Sequence, residues 1–385
     1  MVEPAVRAAV VRVAVPGAAL VAVTFGLARY GYGLLLPDMR AELGVGPDAG
    51  GVIASGSYAS YLVATAAVVW LTGRFGARVP LGLAAVAATA GMVLIARATG
   101  VVGLAVGVAL AGTAAGLAFP PYADVIERAV PPRARPGVLS AVSSGTGWGV
   151  AVAGPIAIVA GEHWRTAWLL FAGLAAVAGA AAVLAAPRGR ATGAAPPVRI
   201  SPSWLVCPRS RPLLVAAALV GAGSSVWWTF GVDALVAAGL GEDRARAAFA
   251  LCGAAGVLAS GSGALAARLG LRRVHVLGCV ALAGALALLG LAPGDTTVAL
   301  LAAAAFGVTY NGVIAAQGLW SAEVFRSRPS AGLAAVNTAL TIGTITGPAA
   351  AGLTVRAFGH PVAMVAAAGL VALAVTQAPP RPARS

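Results

Sequence analysis

Arg29 lies in an apolar run, Val10 to Leu36, that is long enough to cross a bilayer, within the stretch FGLARYGYGLLLP from Phe25 to Pro37. At about 1.5 Å per residue it falls on the order of 12 Å inside Pro37, well within the hydrocarbon layer. A central Arg costs roughly 3 kcal/mol on insertion scales, so its neighbour should be a partner group, water or a ligand rather than lipid. On a helical wheel Phe25, Arg29 and Tyr32 share one stripe, with Gly26 and Gly33 beside it. Such an aromatic and cationic face suits the wall of a polar cavity. The plainer alternative is that Arg29 snorkels outward or binds carbonyls of a neighbouring helix.

Other polar side chains inside apolar runs also form stripes. Asn337, Thr341 and Thr344 share a face, and Ser144 and Trp148 occupy matching places 193 residues earlier. Tyr310 and Gln317 share a face with Asn311 adjacent, Trp227 and Trp228 lie in another run, and Tyr58 and Tyr61 in a third. A cationic, aromatic, amide-lined site of this kind favours a small molecule bearing a carboxylate or similar anion on an apolar body. Interhelical hydrogen bonding is the competing role, and the better one for most of the Ser and Thr. No carboxylate falls at mid-membrane. Asp124 is the candidate for proton exchange, against a structural ion pair with Arg128 at i+4.

Several chemistries are excluded. There is no H-E-x-x-H, no G-x-S-x-G and no pair of membrane aspartates, and His163, His275 and His360 all lie near helix ends. The run Gly145-x-Gly147-x-Gly149 falls inside an apolar helix rather than after a strand, so it is no nucleotide loop, and no phosphate-binding loop exists to draw on ATP. Cys207, Cys252 and Cys279 are an odd number without metal spacing. Neither an enzyme nor a cofactor is expected.

The elements that must hold these residues are membrane helices. Of 385 residues 59% are apolar and 10% charged, and the mean hydropathy is +0.90, which no soluble globular domain approaches. The net charge of +14 comes from 26 arginines scattered among short loops, which fits membrane topology and not nucleic-acid binding. Breaks at Gly, Pro and charge leave twelve spans, near 11–36, 50–72, 79–97, 100–122, 136–160, 166–186, 212–236, 246–267, 274–292, 297–322, 330–355 and 361–378. With the N-terminus cytoplasmic, 19 arginines fall on the inner side and six, including Arg246, on the outer, leaving Arg29 as the one cation in the membrane. Both termini should be cytoplasmic. Residues 187–212, rich in Pro and Arg, read as a linker between halves 1–186 and 213–385, with a partner-binding tail as the alternative.

The halves repeat. Arg74-Phe75-Gly76-Ala77-Arg78 after the second span has a counterpart 194 residues on, Arg268-Leu269-Gly270-Leu271-Arg272, and Gly154-Pro155 in the fifth span has one 193 residues on, Gly347-Pro348. Two landmarks in one register indicate a tandem duplication, and six spans per copy give both copies the same orientation.

At these landmarks the sequence resembles the major facilitator superfamily. The loops match that family's G-x-x-x-D-R-x-G-R-R gating motif at Arg74, Gly76, Arg78, Arg268, Gly270 and Arg272, but Gly73 and Ala267 stand where the family has Asp, which departs from the charge-relay form of the gate. Gly343, Gly347, Pro348 and Gly352 resemble its antiporter motif, with Gly154 and Pro155 the weaker copy, and imply helices that bend as the halves rock. A static kink explains those residues almost as well. The family's Arg before a fourth-span Gly is missing, since Val108 precedes Gly112. Gly26 to Tyr30 with Leu35-Leu36-Pro37 looks like the first helix of the YbfB/YjiJ-like and cyanate-transporter-like branches.

The resemblance implies an all-α membrane protein of twelve helices in two pseudo-symmetric halves, a monomer in the cell membrane that moves a small organic molecule by alternating access. It implies further that the first, fourth, seventh and tenth spans line the centre, so that Arg29, Tyr310, Gln317 and Trp227 converge there. Proton-coupled export is the expected mode, with anion uptake or facilitated diffusion, and a sensor without flux, as alternatives.

Overall fold

The computed structural model describes residues 4–189 and 206–380, and all the regular structure among them is helical. A bilayer core offers no water to backbone amides, so a chain this apolar must satisfy them within its own helices. The chain begins with α1 (Pro4–Val21), a π-helical turn (Ala22–Leu27), α2 (Gly31–Leu34) and α3 (Leu36–Leu43). It continues through α4 (Pro47–Phe75), α5 (Arg78–Ala96), α6 (Val101–Ala129), α7 (Arg135–Ala160) and α8 (Trp164–Ala185). Beyond the 187–212 segment, of which 190–205 with Arg190, Pro196, Pro197, Arg199 and Pro202 lies outside the described residues, come α9 (Arg211–Ala237) and α10 (Glu242–Val257). A 3-10 turn (Leu258–Gly261) leads to α11 (Ser262–Leu269), followed by α12 (Leu271–Leu291), α13 (Thr296–Val324), α14 (Pro329–Phe358) and α15 (His360–Leu373).

Ten helices among the described residues are long and apolar enough to cross a membrane. The other two expected spans differ in form. The eighth is interrupted between α10 and α11, where Ser260-Gly261-Ser262-Gly263 is a run of weak helix formers. The twelfth is the short apolar helix His360–Thr376. With these, the chain has the twelve-span architecture.

By internal contacts the chain divides into two compact units, Met1–Val45 with Gly56–Pro196, and Gly46–Ser55 with Pro197–Ser385. In the first, α5 packs on α6 and α8, and α1 on α7 and α8. Its core contains Leu20, Val68, Leu81, Val125 and Tyr122, whose hydroxyl donates to the Val13 carbonyl at 2.7 Å. In the second, α9 packs on α14 and α15, α10 on α13, and α12 on α13 and α15.

Small residues set the tightest approaches in both units. A Cβ at Gly149 would stand 2.2 Å from the Ala22 carbonyl oxygen, and one at Gly347 2.3 Å from that of Ala222. The glycine runs of α7 and α14 are therefore strips where one backbone lies directly on another, the membrane substitute for a hydrophobic driving force. Pro155 and Pro348 lie inside these same helices.

Candidate functional site

The first span is not the continuous helix expected over 11–36. After Val21 it widens into a π turn, with Ala28 N–H donating to Val23 O at 2.9 Å and Tyr30 N–H to Phe25 O at 3.2 Å, both five residues back. Gly26, Gly31 and Gly33 flank this break and weaken the α form there. Arg29 stands at the end of the widened turn, and such π bulges concentrate at functional positions.

Four rings close on its guanidinium. The Arg29 Cζ is 4.2 Å from the ring centre of Tyr61, 4.7 Å from Tyr58, and 5.8 Å from both Phe25 and Tyr30. Phe25 and Tyr61 also meet edge to face at 6.1 Å. Tyr58 and Tyr61 come from α4, three residues apart on one helix face, and Tyr58 and Tyr30 are buried. The stripe read from the sequence thus needs amending. Tyr32 is buried on α2, while the rings around the cation include Tyr30, which a straight-helix wheel places off that stripe, and Tyr61 from α4. Trp148, on α7 of the same unit, is 53% exposed.

The candidates of the second unit gather around aromatic rings. Trp228 lies 5.7 Å from Phe249, 5.5 Å from Phe306 and 5.7 Å from Tyr310, centre to centre, and Phe306 and Tyr310 stack at 5.6 Å. Trp227 joins through Phe306 at 5.7 Å. Asn311 donates its Nδ2 to the Gly307 carbonyl at 2.9 Å, so it is partly engaged within its own helix. Gln317 is 1% exposed, and neither its Oε1 nor its Nε2 has a partner among the described residues. Asn337 is exposed on α14, and its carbonyl accepts from Thr341 at 2.7 Å.

The duplicated loops act alike in the two units. Gly76 and Gly270 have φ of +76° and +84°, values that favour glycine. Two residues later Arg78 donates its Nε to the Ala186 carbonyl at 2.7 Å, and Arg272 donates its Nη1 to that of Pro379 at 2.6 Å. Each Arg therefore ties the start of its unit's third span to the end of its sixth. Arg74 and Arg268 are exposed.

One expectation about charge changes. Arg246, expected in a loop, lies in α10 and is 1% exposed, so Arg29 is not the one cation taken into the bundle. Its Nη2 is 2.8 Å from Glu242 and its Nη1 3.8 Å from Asp243, and these i,i+4 and i,i+3 carboxylates are what make its burial tolerable. Asp124 stands 3.8 Å from Arg128, which also donates to the Gly189 and Arg188 carbonyls. Sequence reasoning missed the contact of Asp233 Oδ2 with His360 Nε2 at 2.8 Å, whose partners are 127 residues apart. At the far end of α3, Glu42 accepts from Trp164 Nε1 at 2.6 Å and pairs with Arg165, and these hydrogen bonds, that of Arg165 foremost, hold its carboxyl below the usual range.

Six spans in each of two units, a caged cation inside one and an aromatic cluster inside the other, define a multi-pass membrane protein. The model of the Major Facilitator Superfamily matches residues 18–320, and the chain belongs to that family. No curated protein matches it in sequence. Among solved structures it is similar to a bacterial homologue of the human lysosomal transporter Spinster in an inward-facing, unoccupied state, with TM-score 0.78 and 14% identity over 98% of this chain and 97% of that one. It is also similar to the nucleoside transporter NupG, with TM-score 0.74 and 14% identity over 94% and 97% of the two chains. It is therefore a secondary transporter.

Proposed function

We propose that this transporter is a proton-coupled exporter of a small organic anion carrying an apolar or aromatic body, with both termini on the cytoplasmic side of the cell membrane. The observation that carries the reading is the Arg29 cage: a guanidinium brought to a helix break and faced by Tyr58 and Tyr61 at 4.7 and 4.2 Å. Guanidinium groups stack by their faces and donate from their edge, so rings on the faces pre-orient the donors for a carboxylate in the same plane. The rings also offer flat apolar surface to the rest of the ligand. Export is supported by the glycines and proline of α14 that resemble the antiporter motif. Gly347 lies against α9, and Gly352 against the first turn of α4 within the same unit. Asp124 is the carboxylate proposed for proton exchange in the first unit.

The test is flux into sealed vesicles across a panel of organic anions, lipophilic drugs and neutral nucleosides, with and without an imposed proton gradient. Arg29→Gln should reduce gradient-driven anion flux by about tenfold or more, the loss expected for a charge-assisted hydrogen bond of roughly 1.5–3 kcal/mol. Drug or nucleoside movement indifferent to Arg29→Gln would make that residue structural and turn the assignment toward neutral or lipophilic substrates. Anion flux indifferent to the gradient would remove proton coupling.

A further inference from the structure

We propose that Asp233 and His360 form a second proton-exchange site, inside the second unit at the end of α9 away from the 187–212 segment. The ligand is a proton, and the inference rests on the proton-coupled reading above. Asp233 lies four residues before the end of α9, and His360 is the first residue of α15, set there by the turn at Gly359 with φ +85°. The ring Nε2 is 2.8 Å from the Asp233 Oδ2, and the two side chains are 16% and 10% exposed. Phe230, one turn earlier on α9, meets the imidazole edge to face at 6.4 Å and helps fix its orientation. The pair is thus packed into the bundle yet still within reach of solvent.

What separates this contact from the other ion pairs is its cation. Asp124–Arg128, Glu42–Arg165, Glu242–Arg246 and Asp48–Arg356 each rest on a guanidinium, which keeps its proton at any working pH. An imidazole gives up its proton near neutrality. The exchange is simple: the Nε2–H bond of the imidazolium breaks, the proton passes to water, and the pair goes from neutral overall to a single negative charge. Loading reverses it. The other histidines differ: His275 is buried with its Nε2 3.8 Å from the Cys279 Sγ, and His163 is exposed where α8 begins.

Charge on the neighbouring elements at this end is already engaged. Arg356 of α14 pairs with Asp48 at 2.7 Å. Asp295 accepts from the Val298 N–H at 2.9 Å and caps α13. On α10, Arg246 is held by Glu242 and Asp243, with Arg244 beside them. The charges of α12, Arg272, Arg273 and His275, lie at its opposite end. Among these contacts the pair is the one whose cation is an imidazole.

The chain has three histidines, so nuclear magnetic resonance of the full-length protein labelled in its imidazoles gives a readable titration without any substrate. His360→Gln assigns the signal. Asp233→Asn should displace the His360 titration curve by about one pH unit, a tenfold change in proton affinity. The signals of His163 and His275 should stay in place, showing that the fold survives, and Asp233→Glu should restore most of the parent curve. An unmoved His360 curve in Asp233→Asn, or a His360 signal that does not respond to pH, overturns the proposal. In vesicles, Asp233→Asn should abolish the response of anion flux to a proton gradient while downhill exchange continues. If the parent follows the gradient and Asp233→Asn follows it equally, the pair is not the site and proton coupling stands. If the parent ignores the gradient, proton coupling fails, and the titration alone decides whether the pair binds a proton.

Discussion

A guanidinium inside a membrane bundle must recover what it loses on leaving water, and Arg29 and Arg246 do so differently. Arg246 recovers it from Glu242 and Asp243 on its own helix. Arg29 is faced by rings at 4.2 to 5.8 Å. Desolvated cation–π contacts are worth up to about 2 kcal/mol, against roughly 3 kcal/mol for inserting the charge. The cage thus offsets a large share of the insertion cost. The ring matters here, not the hydroxyl. Tyr61→Phe should leave anion flux within about twofold, whereas Tyr61→Ala should lower it by about fivefold, the equivalent of roughly 1 kcal/mol. Equal losses in the two variants, measured as initial rates in vesicles, would mean that the phenol oxygen carries the effect.

At the scale of elements the duplication becomes mechanical. Arg78 reaches the carbonyl of a residue 108 positions later and Arg272 one 107 positions later, so the loop copies bind the same structural landmark in each unit. The motif residues were legible in the sequence, and so was the glycine that turns the chain before each Arg. Their targets were not, because Ala186 and Pro379 contribute only backbone oxygens, which leave no trace in side-chain pattern. The helix break at Arg29 was hidden for a related reason: apolar periodicity is nearly indifferent to whether one turn is wound α or π. Arg78→Ala and Arg272→Ala should each lower thermal stability in detergent by about 1–3 kcal/mol, the worth of a hydrogen bond from a charged donor. Lysine should restore only part, lacking the planar fork. A loss confined to one of the two would contradict their equivalence.

For the whole molecule the reading rested on apolar length and on the distribution of arginine, and the structure bears on the first. Twelve spans stand, although one is interrupted and one is short. Contacts such as Asp233 with His360 and Arg29 with Tyr61 stayed illegible because they join distant stretches, whereas span number and repeat register are local sums over many residues. The excess of arginine on the side assigned inside, 19 against six, predicts an orientation. That orientation can be measured. A phosphatase reporter that is active only outside the cytoplasm should be silent when fused after Gly189 and active when fused after Leu240, in the turn between α9 and α10; a fluorescent protein that folds only in the cytoplasm should give the reverse. Phosphatase activity at Gly189 would invert the molecule. It would then put Asp124 on the outer side and the Asp233–His360 pair on the inner, which would reverse the sides on which the two proposed sites load and release protons.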